Sequence, residues 1–80
     1  MHQESLIRMA NQIGTFFEAM PDRAEALEGI AMHLKKFWEP RMRRQLLAHV
    51  DGKQGEGLSP MVSEAIRLHR SKLEPMVAQH

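Results

Sequence analysis

Five histidines are the side chains of this sequence best suited to metal binding or acid–base catalysis: His2, His33, His49, His69 and His80. No two of them stand four residues apart, and no glutamate precedes one by three residues, so no helical turn presents a ready pair of ligands. A metal site would need ligands that converge from different helices. We therefore expect solvated or core-edge histidines, with His69 hydrogen-bonded or at an interface because it falls within the apolar stripe of the last helix.

The other usual starting points for catalysis are also missing from the sequence. With no cysteine, the chain has no thiolate for an iron–sulfur cluster, a cysteine zinc site or nucleophilic attack. Gly52, Gly55 and Gly57 are spaced somewhat like a phosphate-binding loop, but no strand is predicted before them and no Lys-Ser/Thr pair follows. We predict a chain without catalytic, cofactor-binding or metal-binding residues, in which these glycines form a flexible connector between helices.

The strongest local feature is a basic segment, residues 35–44, which we call the basic corner. It carries five cations and one glutamate, a local net charge of +4, whereas the other seventy residues sum to −3 and the whole chain to +1. Lysines at the end of a helix suit its dipole, but arginines in the first turns of the next helix do not, so another interaction should compensate. Arginine beside tryptophan and methionine is typical of protein interfaces. We therefore predict that this corner binds a partner protein.

Nucleic acid is the competing partner for the basic corner. Two helices joined by a tight turn, the second of them rich in arginine, loosely resemble a helix-turn-helix. Against this interpretation, the second helix would present Leu47 and Ala48 to the bases, and the total charge of the chain is nearly neutral. We therefore favour a protein partner and expect no nucleic-acid binding.

The sequence also argues against a membrane protein or an exported one. Its longest uninterrupted apolar runs are three residues, as in Ile30-Ala31-Met32. Its first residues lack the basic and apolar regions of a signal peptide. We therefore expect no membrane association and a cytoplasmic location.

The elements that must position the basic corner follow from hydrophobic periodicity, since apolar residues recur at three- and four-residue steps and no segment alternates with period two. We predict an all-α fold, a small compact bundle of about four helices in a single domain over residues 1–80, with a glycine-rich loop before the last helix. The predicted helices, flexible loop and frayed tail cover residues 5–20, 23–38, 41–50 and 60–73, residues 51–58, and residues 75–80, respectively.

Proline and capping residues set these predicted boundaries. Pro21 ends the first helix, and Asp22 with Glu25 has the spacing of a capping box for the second. Pro40 suits the first turn of the third helix and forces a sharp corner before it, and Ser59 caps the fourth helix. The basic corner is therefore expected to lie where two helices meet at a proline.

Apolar stripes along these helices are expected to face the core. They include Phe16, Phe17 and Leu68, with Phe37 at the edge of its stripe. Gly14 lies beside the first stripe, where another helix could approach closely. A chain of only 80 residues buries a small core, so we expect part of its stability to come from a partner or from self-association.

Three segments carry a distinctive pattern: RMANQIGxFF at residues 8–17, GIAxHLxxFWxPRMR at residues 29–43 and GxGLxPxV at residues 55–62. Through these segments the chain resembles the δ subunit family of NAD-dependent formate dehydrogenase over roughly residues 6–67. The string FWxPRMR is the most distinctive part of the resemblance. A short C-terminal extension is the one part that does not match.

The resemblance implies a role that the residue chemistry alone does not show. Such enzymes are cytoplasmic complexes, and their large α subunit carries a molybdenum or tungsten bis-pterin centre and iron–sulfur clusters. Electrons from formate pass through clusters to flavin mononucleotide (FMN) and then to NAD⁺. The expected partner is therefore the α subunit, within a larger complex that includes β and γ subunits, and the δ subunit itself is implied to carry none of these cofactors.

On this interpretation the chain is a non-catalytic subunit that docks on the α subunit and supports the assembly, stability or activity of the enzyme. The predicted partner-binding residues lie on the first helix and in the basic corner: Arg8, Asn11, Gln12, Lys36, Trp38, Arg41, Met42, Arg43 and Arg44. A maturation chaperone, which would hold the molybdenum-cofactor subunit and then leave it, is the alternative that the sequence does not separate from a permanent subunit.

Overall fold

The regular structure of the chain is entirely helical in the computed structural model, which describes residues 3–74. The helices are α1 (Gln3–Phe17), α2 (Arg23–Phe37), α3 (Pro40–Lys53), α4 (Pro60–Leu68) and the single turn α5 (Arg70–Leu73). The prediction of an all-α bundle is confirmed, and the four longer helices correspond to the four expected from the periodicity.

Capping side chains start two of the helices where the sequence placed them. The Asp22 carboxylate accepts hydrogen bonds from the backbone N–H groups of Ala24 and Glu25 at 2.9 and 3.2 Å, which satisfies two free donors at the start of α2. The backbone N–H of Val62 donates to the hydroxyl of Ser59 at 3.3 Å at the start of α4. These two caps fix where α2 and α4 begin.

The first helix ends three residues earlier than predicted. α1 stops at Phe17 rather than at residue 20, and the backbone N–H of Met20 bonds to the Phe17 carbonyl at 3.0 Å in a tighter turn. Met20 directly precedes Pro21, a position at which the helical region is disfavoured, so the helix could not have included residue 20 without strain. The connection between α1 and α2 is correspondingly longer.

The loop before α4 is shorter than predicted, because α3 continues through Lys53 instead of ending at residue 50. The helix ends where Gln54 adopts a left-handed conformation with φ of 56°. Gly55 and Gly57 follow with φ of 71° and 91°, a region that glycine enters without a Cβ penalty. The glycine-rich connection therefore covers residues 54–59, where the prediction had 51–58.

The last predicted helix, residues 60–73, is divided at His69, whose backbone (φ −114°, ψ 29°) lies outside the helical region. The single turn that follows buries Leu73 in the core, whereas Leu68, expected on the apolar stripe, is 58% exposed. His69 itself is half-buried at this break. The predicted frayed tail, residues 75–80, lies outside the described residues.

One hydrophobic core joins the helices, with α2 packed against α1, α4 and α5, and α1 also packed against α3 and α4. Its largest fully buried side chains are Leu6, Ile30, Leu34, Leu46, Val62, Ile66 and Leu73. Gly14 allows α1 and α4 to approach closely, because a Cβ there would lie 2.5 Å from Cγ2 of Val62. The close approach suggested by the sequence at Gly14 is present.

Two side chains hold the glycine-rich connection against the bundle. The Asn11 amide nitrogen donates to the Gly57 carbonyl at 2.9 Å, and the Ser59 backbone N–H donates to the Asn11 amide oxygen at 2.8 Å. The buried His49 ring places Nε2 2.6 Å from the Glu56 carbonyl. The connection is therefore tied to α1 and to α3 before α4 begins.

Candidate docking surface

An open apolar groove of about 410 Å³ lies between α1 and α2, and we call it the aromatic groove. Its lining residues come from the second half of α1, from α2 and from the residue that follows α2: Met9, Gln12, Ile13, Phe16, Phe17, His33 and Trp38. None of these side chains carries a carboxylate. The groove can hold apolar groups of a ligand or partner, and its rings are suited to packing rather than to acid–base catalysis.

Three rings of the groove lining and the neighbouring Phe37 ring form a continuous series of contacts. Phe16 and Phe17 meet edge to face with centroids 5.1 Å apart, Phe17 lies 6.5 Å from His33, and His33 lies 4.8 Å from Phe37. The Phe17 ring rests on Gly29, where a Cβ would come within 2.5 Å of it. Gly29 is therefore required for the position of Phe17, and through it for the shape of the groove.

Two of these rings are largely in contact with solvent. Phe16 is 73% exposed and Phe37 is 70% exposed. Burying a phenylalanine side chain stabilises a protein by about 1.5–3 kcal/mol, and that gain is mostly unrealised at these two positions. Contiguous exposed apolar surface of this kind is typical of interaction sites. The groove with its two exposed rings is therefore the best candidate in the described chain for contact with a partner.

The basic corner adjoins the groove through Trp38, which is the C-cap residue directly after α2 and lines the groove. Glu39 is extended (φ −64°, ψ 153°) ahead of Pro40, which occupies the first turn of α3, so the predicted corner is present. The side chains of Lys35, Lys36, Arg41 and Arg44 are exposed. Within residues 3–74, none of these four cations forms an ion pair. The corner therefore presents free positive charge next to exposed aromatic rings.

Arg43 is the one arginine of the corner that turns toward the core. Its Nη1 donates to the Leu73 carbonyl at 3.4 Å at the end of α5, and its Nε is buried with no partner among the described residues. Arg43 is half-buried, whereas Arg41 and Arg44 on the same helix are exposed. Arg43 therefore contacts α5 and helps to hold the bundle together.

The remaining predicted partner-binding residues divide between the surface and the core. Arg8 and Gln12 are exposed on α1, and Gln12 lines the groove. Trp38 is only 5% exposed, and Met42 is half-buried against the core. Asn11 uses both ends of its amide to hold the glycine-rich connection, so its polar groups are already bonded within the chain. Arg8 and Gln12 are available to a partner, whereas Trp38 can offer only the edge that lines the groove.

Sequence reasoning missed the rings that make this surface. Phe16 was expected in the core stripe and Phe37 at its edge, but both are exposed. Adjacent residues on a helix point about 100° apart, so a Phe-Phe or Phe-Trp pair cannot place both rings equally deep in a small core. The pairs Phe16-Phe17 and Phe37-Trp38 were the available signal. In each pair the more buried ring is the C-terminal one.

The ion pairs of the described residues all lie outside the groove lining and the basic corner. Arg70 donates to both carboxylate oxygens of Asp51 at 2.7 and 3.0 Å and to Glu74 at 3.0 Å, so these hydrogen bonds raise the pKa of Arg70. Arg23 binds Glu64, and this hydrogen bond holds the pKa of Glu64 below its usual value. Lys72 lies 3.6 Å from a carboxylate oxygen of Glu28. We call the surface that carries these ion pairs the paired side.

Residues 3–74 contain neither a metal-binding cluster nor a membrane-spanning helix. Between residues 3 and 74, no three His, Asp or Glu side chains come together as a metal site would require. No helix in that range is both long and apolar enough to cross a bilayer.

The sequence was compared with models of known protein families, and one of these models matches most of the chain. A family model described as the NADH-dependent formate dehydrogenase delta subunit FdsD matches residues 5–66, which include the groove, the basic corner and the glycine-rich connection. No curated protein and no solved structure matches the chain. The match extends over most of the 80 residues. The chain therefore belongs to the FdsD family of NADH-dependent formate dehydrogenase delta subunits.

Proposed function

We propose that this chain is a non-catalytic subunit of a cytoplasmic NAD-dependent formate dehydrogenase, and that it docks on the large α subunit of a complex with β and γ subunits. Docking supports the assembly, stability or activity of that complex. The family assignment implies partner subunits of a formate dehydrogenase. The choice of the α subunit rests on the resemblance of the sequence.

One observation carries this proposal: two exposed rings lie next to four cations that form no ion pair with any residue of the described part of the chain. Phe16 and Phe37 border the groove, and the basic corner begins beside it. Aromatic and arginine side chains are the residues that contribute most at protein interfaces. A large partner that covered this surface would gain the apolar burial that the isolated chain lacks.

The cofactors of the enzyme are proposed to reside in the partner subunits. The resemblance implies a molybdenum bis-pterin centre, iron–sulfur clusters and FMN, and iron–sulfur clusters are bound mainly through cysteine thiolates. This chain has no cysteine, and its described carboxylates and histidines do not gather in threes. Its residues do not fit the clusters, so its contribution is to bind and position other chains.

Purification of the tagged protein at its native expression level tests the proposal. The α subunit, with β and γ, is expected to co-purify, with one copy of this chain for each α subunit in active enzyme. A maturation chaperone would instead accompany the α subunit before cofactor insertion and be missing from active enzyme. Failure of any formate dehydrogenase subunit to co-purify would contradict both forms of the proposal.

A further inference from the structure

We propose that the aromatic groove binds an amphipathic helix of a larger formate dehydrogenase subunit. The apolar side chains of that helix pack between Phe16 and Phe37, and its carboxylates lie beside Arg8 and Lys36. This inference rests on the proposed function and makes it more specific, because it names the surface of this chain and the chemistry of the segment that covers it.

The shape of the groove suits a helix. The lining residues of α1 extend from Met9 to Phe17, so the groove follows α1 over eight residue steps, about 12 Å or two helical turns. Its floor is apolar, and two exposed rings adjoin it: Phe16 in the lining and Phe37 beside the His33 ring. A groove between two helices is a common binding site for an amphipathic helix. Strand addition needs a free sheet edge, and residues 3–74 contain no strand.

The charges beside the groove are positive. Arg8 precedes Gln12 by four residues and Lys36 follows His33 by three, spacings at which side chains share a helix face. Gln12 and His33 line the groove, so Arg8 and Lys36 flank it from opposite helices. With no carboxylate in the lining, a complementary helix carries Asp or Glu next to its apolar face.

A second copy of this chain is a poorer occupant than a carboxylate-bearing partner. Four of its carboxylates already bind the chain's own cations: Glu28, Asp51, Glu64 and Glu74. Eight cations but only six carboxylates remain outside ion pairs, and all of these lie within the described residues. A second copy would therefore add to the excess of positive charge instead of neutralising it.

Photo-crosslinking in the assembled complex tests the inference. The Phe16→p-benzoylphenylalanine variant is irradiated in the purified complex, and the crosslinked peptide is identified by mass spectrometry. We expect a crosslink to an acidic amphipathic segment of a larger subunit. The matched control, Leu68→p-benzoylphenylalanine, places the same group at the exposed last residue of α4 and should not reach that segment.

The other outcomes of the crosslinking experiment distinguish failure of this inference from failure of the proposed function. A crosslink from position 16 to a second copy of this chain would overturn the inference, as would the absence of any crosslink in a complex that still co-purifies. In both cases the proposed function would stand. If the wild-type chain retained no larger subunit at all, the proposed function would fail and the inference with it.

Truncation of the exposed rings provides a second readout. The double variant Phe16→Ser/Phe37→Ser should lower the affinity for the larger subunit by about tenfold or more for each ring, as expected at interface positions of high energy. Leu68→Ser is the matched control and should leave the affinity unchanged. Circular dichroism checks that both proteins stay helical. Wild-type affinity in the double variant would overturn the inference, and if that variant unfolds, the crosslink decides alone.

Discussion

The paired side and the side with the groove and basic corner use similar residues differently. On the paired side, Arg23, Arg70 and Lys72 each bind a carboxylate of a neighbouring helix or turn. Around the groove, the cations of the basic corner pair with no described carboxylate, and two phenylalanines are exposed. Charges on the paired side are therefore satisfied within the chain, whereas the other side leaves four cations and two rings exposed. The difference suggests which surface a partner covers.

Among the charge and stability variants, the strongest effect should come from reversing charge in the basic corner. Arg41→Glu/Arg44→Glu should weaken binding to the larger subunit by about ten- to a hundredfold, because both side chains are exposed and the proposed partner segment is acidic. Stability should not fall, since acidic residues suit the first turns of α3 better than arginine does. Titration of labelled protein with the larger subunit measures the affinity.

The matched control for this reversal is Lys53→Glu/Arg67→Glu, which changes the charge equally at two exposed cations outside the corner. Equal loss of affinity in both double variants would show that total charge, rather than the corner, governs binding. Arg43 is left unchanged because it bonds to the Leu73 carbonyl, and its replacement would disturb the fold as well.

The next largest effect is on stability. Asn11→Ala should lower the free energy of unfolding by about 1–3 kcal/mol, because two hydrogen bonds to the glycine-rich connection are lost. For a chain of this size, each kcal/mol corresponds to about 4–8 °C in melting temperature. Gln12→Ala, at the exposed neighbouring position, should leave the melting temperature unchanged. An unaltered melting temperature in the Asn11 variant would contradict the anchoring role.

A smaller effect is expected from the paired side. Asp51→Asn should reduce stability by about 0.2–1 kcal/mol, the range for exposed ion pairs, with the two bonds from Arg70 favouring its upper end. High salt should diminish the difference. Denaturant titration measures it, and affinity for the larger subunit should stay at the wild-type level. A tenfold loss of affinity would place the paired side in the interface.

The smallest effect is a dependence of stability on pH. Arg23 holds the pKa of Glu64 below its usual value, so the carboxylate adds stability above its unfolded pKa of about 4.5 and loses it as the pH falls through the lower folded value. Glu64→Gln should therefore flatten the acid limb of the stability curve slightly. Melting temperatures measured across the acid range would show it. An acid limb as steep as in the wild type would contradict this contribution.

Much of the fold could be predicted because local chemistry determines it. Asp22 and Ser59 cap helices, Pro40 sets the corner and Gly14 admits a neighbouring helix. The division of the last helix at His69 could not be predicted, since no proline or glycine marks it. It depends on how Leu73 reaches the core, which is a tertiary effect.

The candidate site was only partly predictable for a related reason. Charge density alone located the basic corner, because it can be counted along the sequence. The exposure of Phe16 and Phe37 and the bonded state of Asn11 depend on which face of a helix meets which neighbour. Periodicity gives a stripe but not its exact limits, so rings at the edge of a stripe can turn either way.

Hydroxyl-radical footprinting of the chain, free and bound to the larger subunit, is the most direct test of whether that subunit covers the aromatic groove. Oxidation rates at Phe16, Phe37 and Leu68 are compared, because all three are exposed in the free chain. If the larger subunit covers the groove, Phe16 and Phe37 are strongly protected from oxidation on binding and the rate at Leu68 is unchanged. Protection of Leu68 with unchanged rates at the two phenylalanines would contradict it.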